Sequence, residues 1–461
     1  MKPYKEHKTF KKIVKFSEKN RGAYALVCLL VLLAIIIYRV VDGIQSEGGF
    51  DFKTFILSLI DLKVFVAVIL AFVLTGVANL LGGLFSPKVE DMMKLTTNYD
   101  SLVKKYGHFS KLVEYTNSSD SDYLTGRKHT TSQATNYKND KYNGIEDTYV
   151  FPTVILTSLK NKTTNIVFDD KEENAYKQPD WIKKHSDELF AAHSHSEKYN
   201  SQMLRVNDFT YDEKTATIYL SKTTYLDSLI ANRACDYEIN GVSVREVYEP
   251  GPVLHSLKDS QLSNHLGFNG MVETSDHKFI FIKRHNKVSI AKNTWQTSIG
   301  ASLKTIYALN ENKTVDTSSI ENAMIEEMIT EFNLKNLKDR ETKESEMRKT
   351  FSFKENVLYF YRDLLECGKP QLMFHYELPL SSSELVEAFT SGLKAAKKNK
   401  DTFNLYCDID GHNLLLIDRE DMKKLYLTPD GFAYKKKFYK SVPSAVATIR
   451  MLIAYLNGET L

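Results

Sequence analysis

The run Ser319–Phe332, SIENAMIEEMITEF, decides how the C-terminal half of the chain is read. It reads as a helix with four carboxylates, Glu321, Glu326, Glu327 and Glu331. Glu327 and Glu331 are four apart and so share a helix face. Two carboxylates on one face, close to the glycine of TWQTSIGAS at 294–302, can hold a magnesium ion that bridges to phosphate oxygens. An exposed acidic helix face is the plainer alternative.

Outward from that helix, strands alternate with helices. Gly267–Glu273 and Lys278–Arg284 read as strands joined by a turn at Ser275 and Asp276. Val357–Leu364 and Gln371–Glu377 read as two more. Ser383–Ala396 is a helix capped by its serines, and Val442–Leu456 closes the chain as a helix. A hairpin is expected around Asp410-Gly411, between Phe403–Ile409 and Asn413–Asp418. Asp408-Ile409-Asp410-Gly411 lacks the distal Glu of a calcium loop and is read as turn chemistry. Upstream, Tyr149–Leu156, Asn165–Phe168, Leu204–Tyr211 and Ala216–Leu220 are strand-like, and Tyr225–Asn232 is a short helix. His185, His193 and His195 are a weak metal candidate without a spaced partner set. The body is therefore expected to be α/β.

The N-terminal part has a different pattern. Ala23–Tyr38 (AYALVCLLVLLAIIIY) and Val64–Phe85 (VFVAVILAFVLTGVANLLGGLF) each approach the ~20 residues that span a bilayer core. Basic residues crowd the tail before them, and the loop between them is mostly acidic. A two-helix hairpin is expected, as a multi-pass membrane anchor with both termini cytoplasmic. Ala71, Thr75, Ala78, Asn79, Gly82 and Gly83 form a small-residue stripe suited to close helix packing, within the hairpin or between protomers. Met92, Leu95, Tyr99, Leu102 and Tyr106 follow with coiled-coil spacing. The expected organisation is a basic tail over 1–22, the hairpin over 23–86, a helical stalk over 87–107, an α/β extension over 108–250 and a final domain over 251–461.

Across 461 residues the net charge is +3, which argues against bulk nucleic-acid binding. The basic tail suits membrane lipid as a partner instead. Four cysteines without CxxC spacing read as reduced thiols. Neither GxGxxG nor GxxxxGK[ST] occurs, and no Ser/His/Asp arrangement is legible.

Over roughly residues 255–461 the chain resembles the Nudix hydrolase family. The resemblance rests on TWQTSIGAS at 294–302, AMIEEMITEFNL at 323–334 and FYRDLLECGKPQLMFHYEL at 360–378, in that order. It implies an α/β/α sandwich. Glu327 and Glu331 match acidic positions of the family signature. Glu326 replaces its Arg, Thr330 one of its Glu residues, Asn333 its Gly, and Ser318 its upstream Glu. The resemblance therefore implies magnesium at Glu327 and Glu331, with weak or absent diphosphate hydrolysis. With a two-helix anchor in front, the chain also resembles the two-transmembrane Nudix-fold effectors of bacterial cyclic-oligonucleotide anti-phage systems. That likeness implies a homo-oligomer in the inner membrane of a bacterium that senses a nucleotide second messenger and disrupts that membrane. A membrane-tethered Nudix hydrolase and a non-catalytic membrane adaptor are the alternatives.

Overall fold

Alternation along four strands sets the architecture, because successive side chains of a strand point to opposite faces. Phe268 and Val272, Ile280 and Ile282, Phe360, and Leu372 and Phe374 join one apolar cluster. Their sequence neighbours Met271, Phe279 and Phe281, Tyr359 and Tyr361, and Met373 join another. Both faces of this sheet are apolar, so both must be covered.

The computed structural model describes residues 99–107, 112–117, 147–193, 200–284, 293–337, 339–398, 411–435 and 437–461. In chain order the elements begin with α1 (Tyr99–Lys105), β1 (Leu112–Asn117), β2 (Asp147–Ser158), β3 (Thr163–Phe168), β4 (Gln202–Tyr211) and β5 (Thr215–Thr224). Next come β6 (Gly267–Glu273), β7 (Lys278–Arg284), β8 (Trp295–Gln296), β9 (Ile299–Ser302) and α2 (Thr317–Glu331). The chain then runs through β10 (Val357–Asp363), β11 (Lys369–Glu377), α3 (Ser382–Lys398) and β12 (Gly411–Asp418). It ends with β13 (Tyr426–Thr428), β14 (Gly431–Tyr434), β15 (Lys437–Lys440) and α4 (Pro443–Asn457).

The large sheet has the order β1-β2-β10-β11-β6-β7-β12, with β9 beside β6 and β8 beside β7. β6 and β11 run parallel, with Glu273 opposite Glu377. The other neighbours along that order run antiparallel. It draws strands from both sides of residue 250. On its first face lie Ile320, Met324 and Met328 of α2, with Leu204, Val206, Ile218 and Leu220 of the small sheet β3-β5-β4. On its second face lie Val446, Ile449 and Leu452 of α4, with Phe432 and Tyr439 of the sheet β13-β14-β15. α1 does not stand free: Leu102 and the following Tyr106 are buried with Val154, Leu254 and Leu364.

The described residues are thus mixed α/β, and the membrane expectation is corrected. No helix among them is long and apolar enough to cross a membrane. The longest, α3 with 17 residues, reaches about 26 Å at ~1.5 Å per residue and carries charge at both ends. A bilayer core needs ~30 Å of apolar helix. Two transmembrane helices and a multi-pass place in the inner membrane are therefore not supported. The runs over 23–86, with Ala71, Thr75, Ala78, Asn79, Gly82 and Gly83, lie outside the described residues, as do Phe403–Ile409.

Gly270 shows how closely the first face is packed. It sits opposite Phe374 in the parallel register, and a Cβ there would run into the Phe374 ring. Gly270→Ala is expected to cost about 1–3 kcal/mol, the usual penalty for overpacking a core. Phe374→Leu in the same chain should restore part of that loss, and urea unfolding of the two variants checks both points.

Candidate functional site

The helix α2 begins two residues before the serine that the sequence suggested. Asp316 caps it by accepting a hydrogen bond from the Ser319 amide, and the Asp316 amide donates back to Ser319 Oγ. The helix ends where Asn333 turns left-handed, at φ 57°, a conformation that Gly or Asn adopts at low cost. A Cβ on Gly392 of α3 would strike the Asn333 side chain, so α3 packs tightly against this end.

Buried positions along α2 are Ser319, Ile320, Ala323, Met324, Ile325, Glu327, Met328, Ile329 and Glu331, so most of the helix surface is enclosed. The two carboxylates singled out in the sequence are therefore inside the protein, Glu327 at 5% exposure and Glu331 at 4%. The other two face partners at the surface. Glu321 accepts a hydrogen bond from the Phe353 amide at 2.6 Å. Glu326 pairs with Arg348, which also donates to Asn322.

Burying a carboxylate is costly unless a charge accompanies it. For Glu327 that charge is Lys304, whose Nζ lies 2.9 Å from Oε1. Lys304 stands two residues beyond the end of β9 and also lies 5.4 Å from the centre of the Tyr307 ring. It was not legible as a site residue, because only the fold brings position 304 to position 327. An ammonium neutralises a carboxylate at the place where a cation would sit. Magnesium asks for several oxygen donors at ~2.0–2.1 Å. Among the described residues no third His, Cys, Asp or Glu donor completes a group around Glu327 and Glu331. The acid pair with Lys304 upon it does not fit a resident magnesium ion.

A second set of buried charges lies where β10 turns into β11. Glu366 Oε2 is 2.9 Å from Lys369 Nζ and 3.4 Å from Arg233 Nε. Asp363 accepts from the Leu365 amide, and Asn232 donates to the Glu366 carbonyl oxygen. Burial works to raise Glu366, but the Lys369 and Arg233 charges outweigh it and hold its carboxyl at about 2. Burial first, and the Glu366 charge second, push Asp363 up to about 7. Burial also lowers Lys369, against the pull of Glu366. Next to this set, Arg245 donates to Asp236 Oδ2 at 2.9 Å and to the Leu364 carbonyl oxygen at 2.8 Å. Arg233 and Arg245 thus tie the extension to the β10–β11 turn.

The histidines named from sequence do not converge. His193 is buried with Nε2 2.7 Å from the Leu229 carbonyl oxygen, and burial drops it to about 4. His185 faces Glu188 at 3.4 Å, and His195 lies outside the described residues. Compared with known protein families and with curated proteins, the chain matches none.

Two tests follow from these charges. Lys304→Met leaves the buried Glu327 without its cation and should cost ~3 kcal/mol at neutral pH. Glu327→Gln in the same chain should recover most of this in denaturant unfolding, whereas a stable single variant would mean that the pair contributes little. The second test concerns Asp363. Its carboxyl ordinarily titrates at 3.8 and in the fold at about 7. Between those values the folded state holds more protons than the unfolded one, so stability from this group declines as pH rises through the window. The stability difference between wild type and Asp363→Asn should therefore shift against wild type between about pH 4 and pH 7. Urea midpoints of the two proteins across that range check the sign.

Proposed function

We propose that residues 251–461 form a Nudix-like domain that binds a nucleotide without hydrolysing it. The observation that carries this reading is Lys304 Nζ on Glu327 Oε1 at 2.9 Å. Diphosphate hydrolysis by metals needs carboxylates free to hold them. Here one of the two matching acids is already neutralised by a lysine of the same chain. Thr330 and Ser318 supply no carboxylate at the other signature positions. Two further features favour the likeness. Asn333 takes the left-handed conformation at the position where the signature carries Gly. The helix bearing the acids and the closing helix α4 belong to clusters on opposite faces of one mixed sheet.

The ligand class proposed is a nucleotide second messenger, cyclic or linear, and the domain's work is to report its presence. Lys304 makes binding independent of magnesium, because the carboxylate is compensated from within.

Equilibrium dialysis of the full chain against a panel of cyclic and linear nucleotides is the test. Binding of at least one member should persist in EDTA, and no product should form when magnesium is restored. Magnesium-dependent turnover lost in Glu327→Gln would replace this reading with that of a hydrolase. Absence of binding across the panel would remove the nucleotide.

A further inference from the structure

The second face of the large sheet is apolar along its middle and polar at one end. In register across β10, β11, β6 and β9 stand Tyr361, Gln371, Gly267 and Ser302. Two residues further along β6, Asn269 pairs with Gly300 of β9. The two glycines put no side chain on this face, and their neighbours lean over the gaps. A Cβ on Gly267 would strike the Gln371 carboxamide and come within 3.2 Å of Lys369 Nζ. A Cβ on Gly300 would lie 3.4 Å from Asn269 Oδ1 and 3.5 Å from Gln296 Oε1. Asn269 also donates to the Tyr361 hydroxyl at 2.6 Å. Three carboxamides and two hydroxyls thus gather over two glycines.

Two buried atoms of this group have no hydrogen-bond partner among the described residues. Gln296 is 5% exposed and accepts from Arg284 through Oε1, but its Nε2 is unmet. His265 is fully buried and meets Ser302 Oγ through Nε2 at 2.8 Å, but its Nδ1 is unmet. Each such atom costs about 1–3 kcal/mol if nothing ever reaches it. Asn269, on an interior strand, and Gly300 opposite it are only half-buried, so the group is open to solvent. A floor without side chains, unmet hydrogen-bonding atoms and an entrance make a binding recess.

We propose that this recess takes the base of the bound nucleotide, and that the base is adenine. The inference rests on the nucleotide reading above and adds to it a place and a base. A carboxamide sets one donor beside one acceptor, which matches the N6 amino group and N7 of adenine. On the same edge guanine offers two acceptors, O6 and N7, and leaves the carboxamide oxygen unserved. An arginine is the side chain that reads those two acceptors best, and here Arg284 is engaged by Gln296. At the other end of the recess, Lys369 and Arg233 share the one carboxylate of Glu366, and Asp363 holds its proton toward neutrality. The positive excess there suits a phosphate.

Equilibrium dialysis of the full chain against cyclic AMP and cyclic GMP, and against cyclic di-AMP and cyclic di-GMP, tests the base. In at least one pair the adenine member should bind about 10-fold tighter or more. Gln296→Glu gives Arg284 a full counter-charge and removes an unmet buried donor, so its urea midpoint should equal or exceed that of the wild type. Its affinity for the adenine nucleotide should nevertheless fall by about 10-fold or more. Asn269→Asp, at a half-buried position, should lose affinity in the same way. Undiminished adenine binding in either variant, or guanine members bound as tightly as adenine ones, would overturn the recess and leave the nucleotide reading standing. No binding of any nucleotide would remove that reading and this inference together.

Discussion

The parallel pair of β6 and β11, apolar on both faces, is the constraint from which the rest follows. A sheet of this kind cannot leave either side to water, so α2 with one small sheet closes one face and α4 with another closes the second. Charge is then pressed to the strand ends. At the N-terminal ends of β6 and β11 lies the Asp363–Glu366–Lys369 group, beside Gly267. At their C-terminal ends lie Glu273 and Glu377 with two histidines. The same apolar middle separates two polar caps of different chemistry.

The buried acids illustrate distinct solutions to one problem. Glu327 is paired with Lys304, which reaches it across the fold. Glu366 stays ionised because two cations face it. Asp363, with Glu366 as a like-charged neighbour, holds its proton toward neutrality instead. An ion pair preserves the charge and fixes geometry. A retained proton avoids the charge and makes the fold sensitive to pH.

The parts of this structure legible in the sequence were those decided within a few residues. β6 and β7 fall at Gly267–Glu273 and Lys278–Arg284, as turn residues and β-rich runs suggested. The end of α2 shifted by a residue or two, because the capping partner of Ser319 is Asp316 and Ser319 is not itself the cap. Pairings across long distances left no such trace. β12 lies against β7, and β2 against β10, with nothing in either strand to announce its partner. The acids Glu327 and Glu331 were visible as a helix-face pair. Their burial, and Lys304 on one of them, depended on what α2 packs against. Hydropathy alone favoured membrane spans, but the described helices offer none, and Leu102 and Tyr106, read as a stalk seam, are body core.

The bond between β2 and β10 also has a consequence in time. β2 is complete at Ser158, but its partner begins at Val357, roughly 200 residues later, which is about 10–40 s of synthesis at ~5–20 residues per second. Throughout that interval an emerging chain carries a long apolar strand, VFPTVIL, whose β10 edge has no partner yet. Such an open edge is the kind that pairs with other chains. Vectorial assembly of this protein is therefore governed by its last third, and a ribosome that stalls before β10 releases a chain whose first strands have nowhere to go.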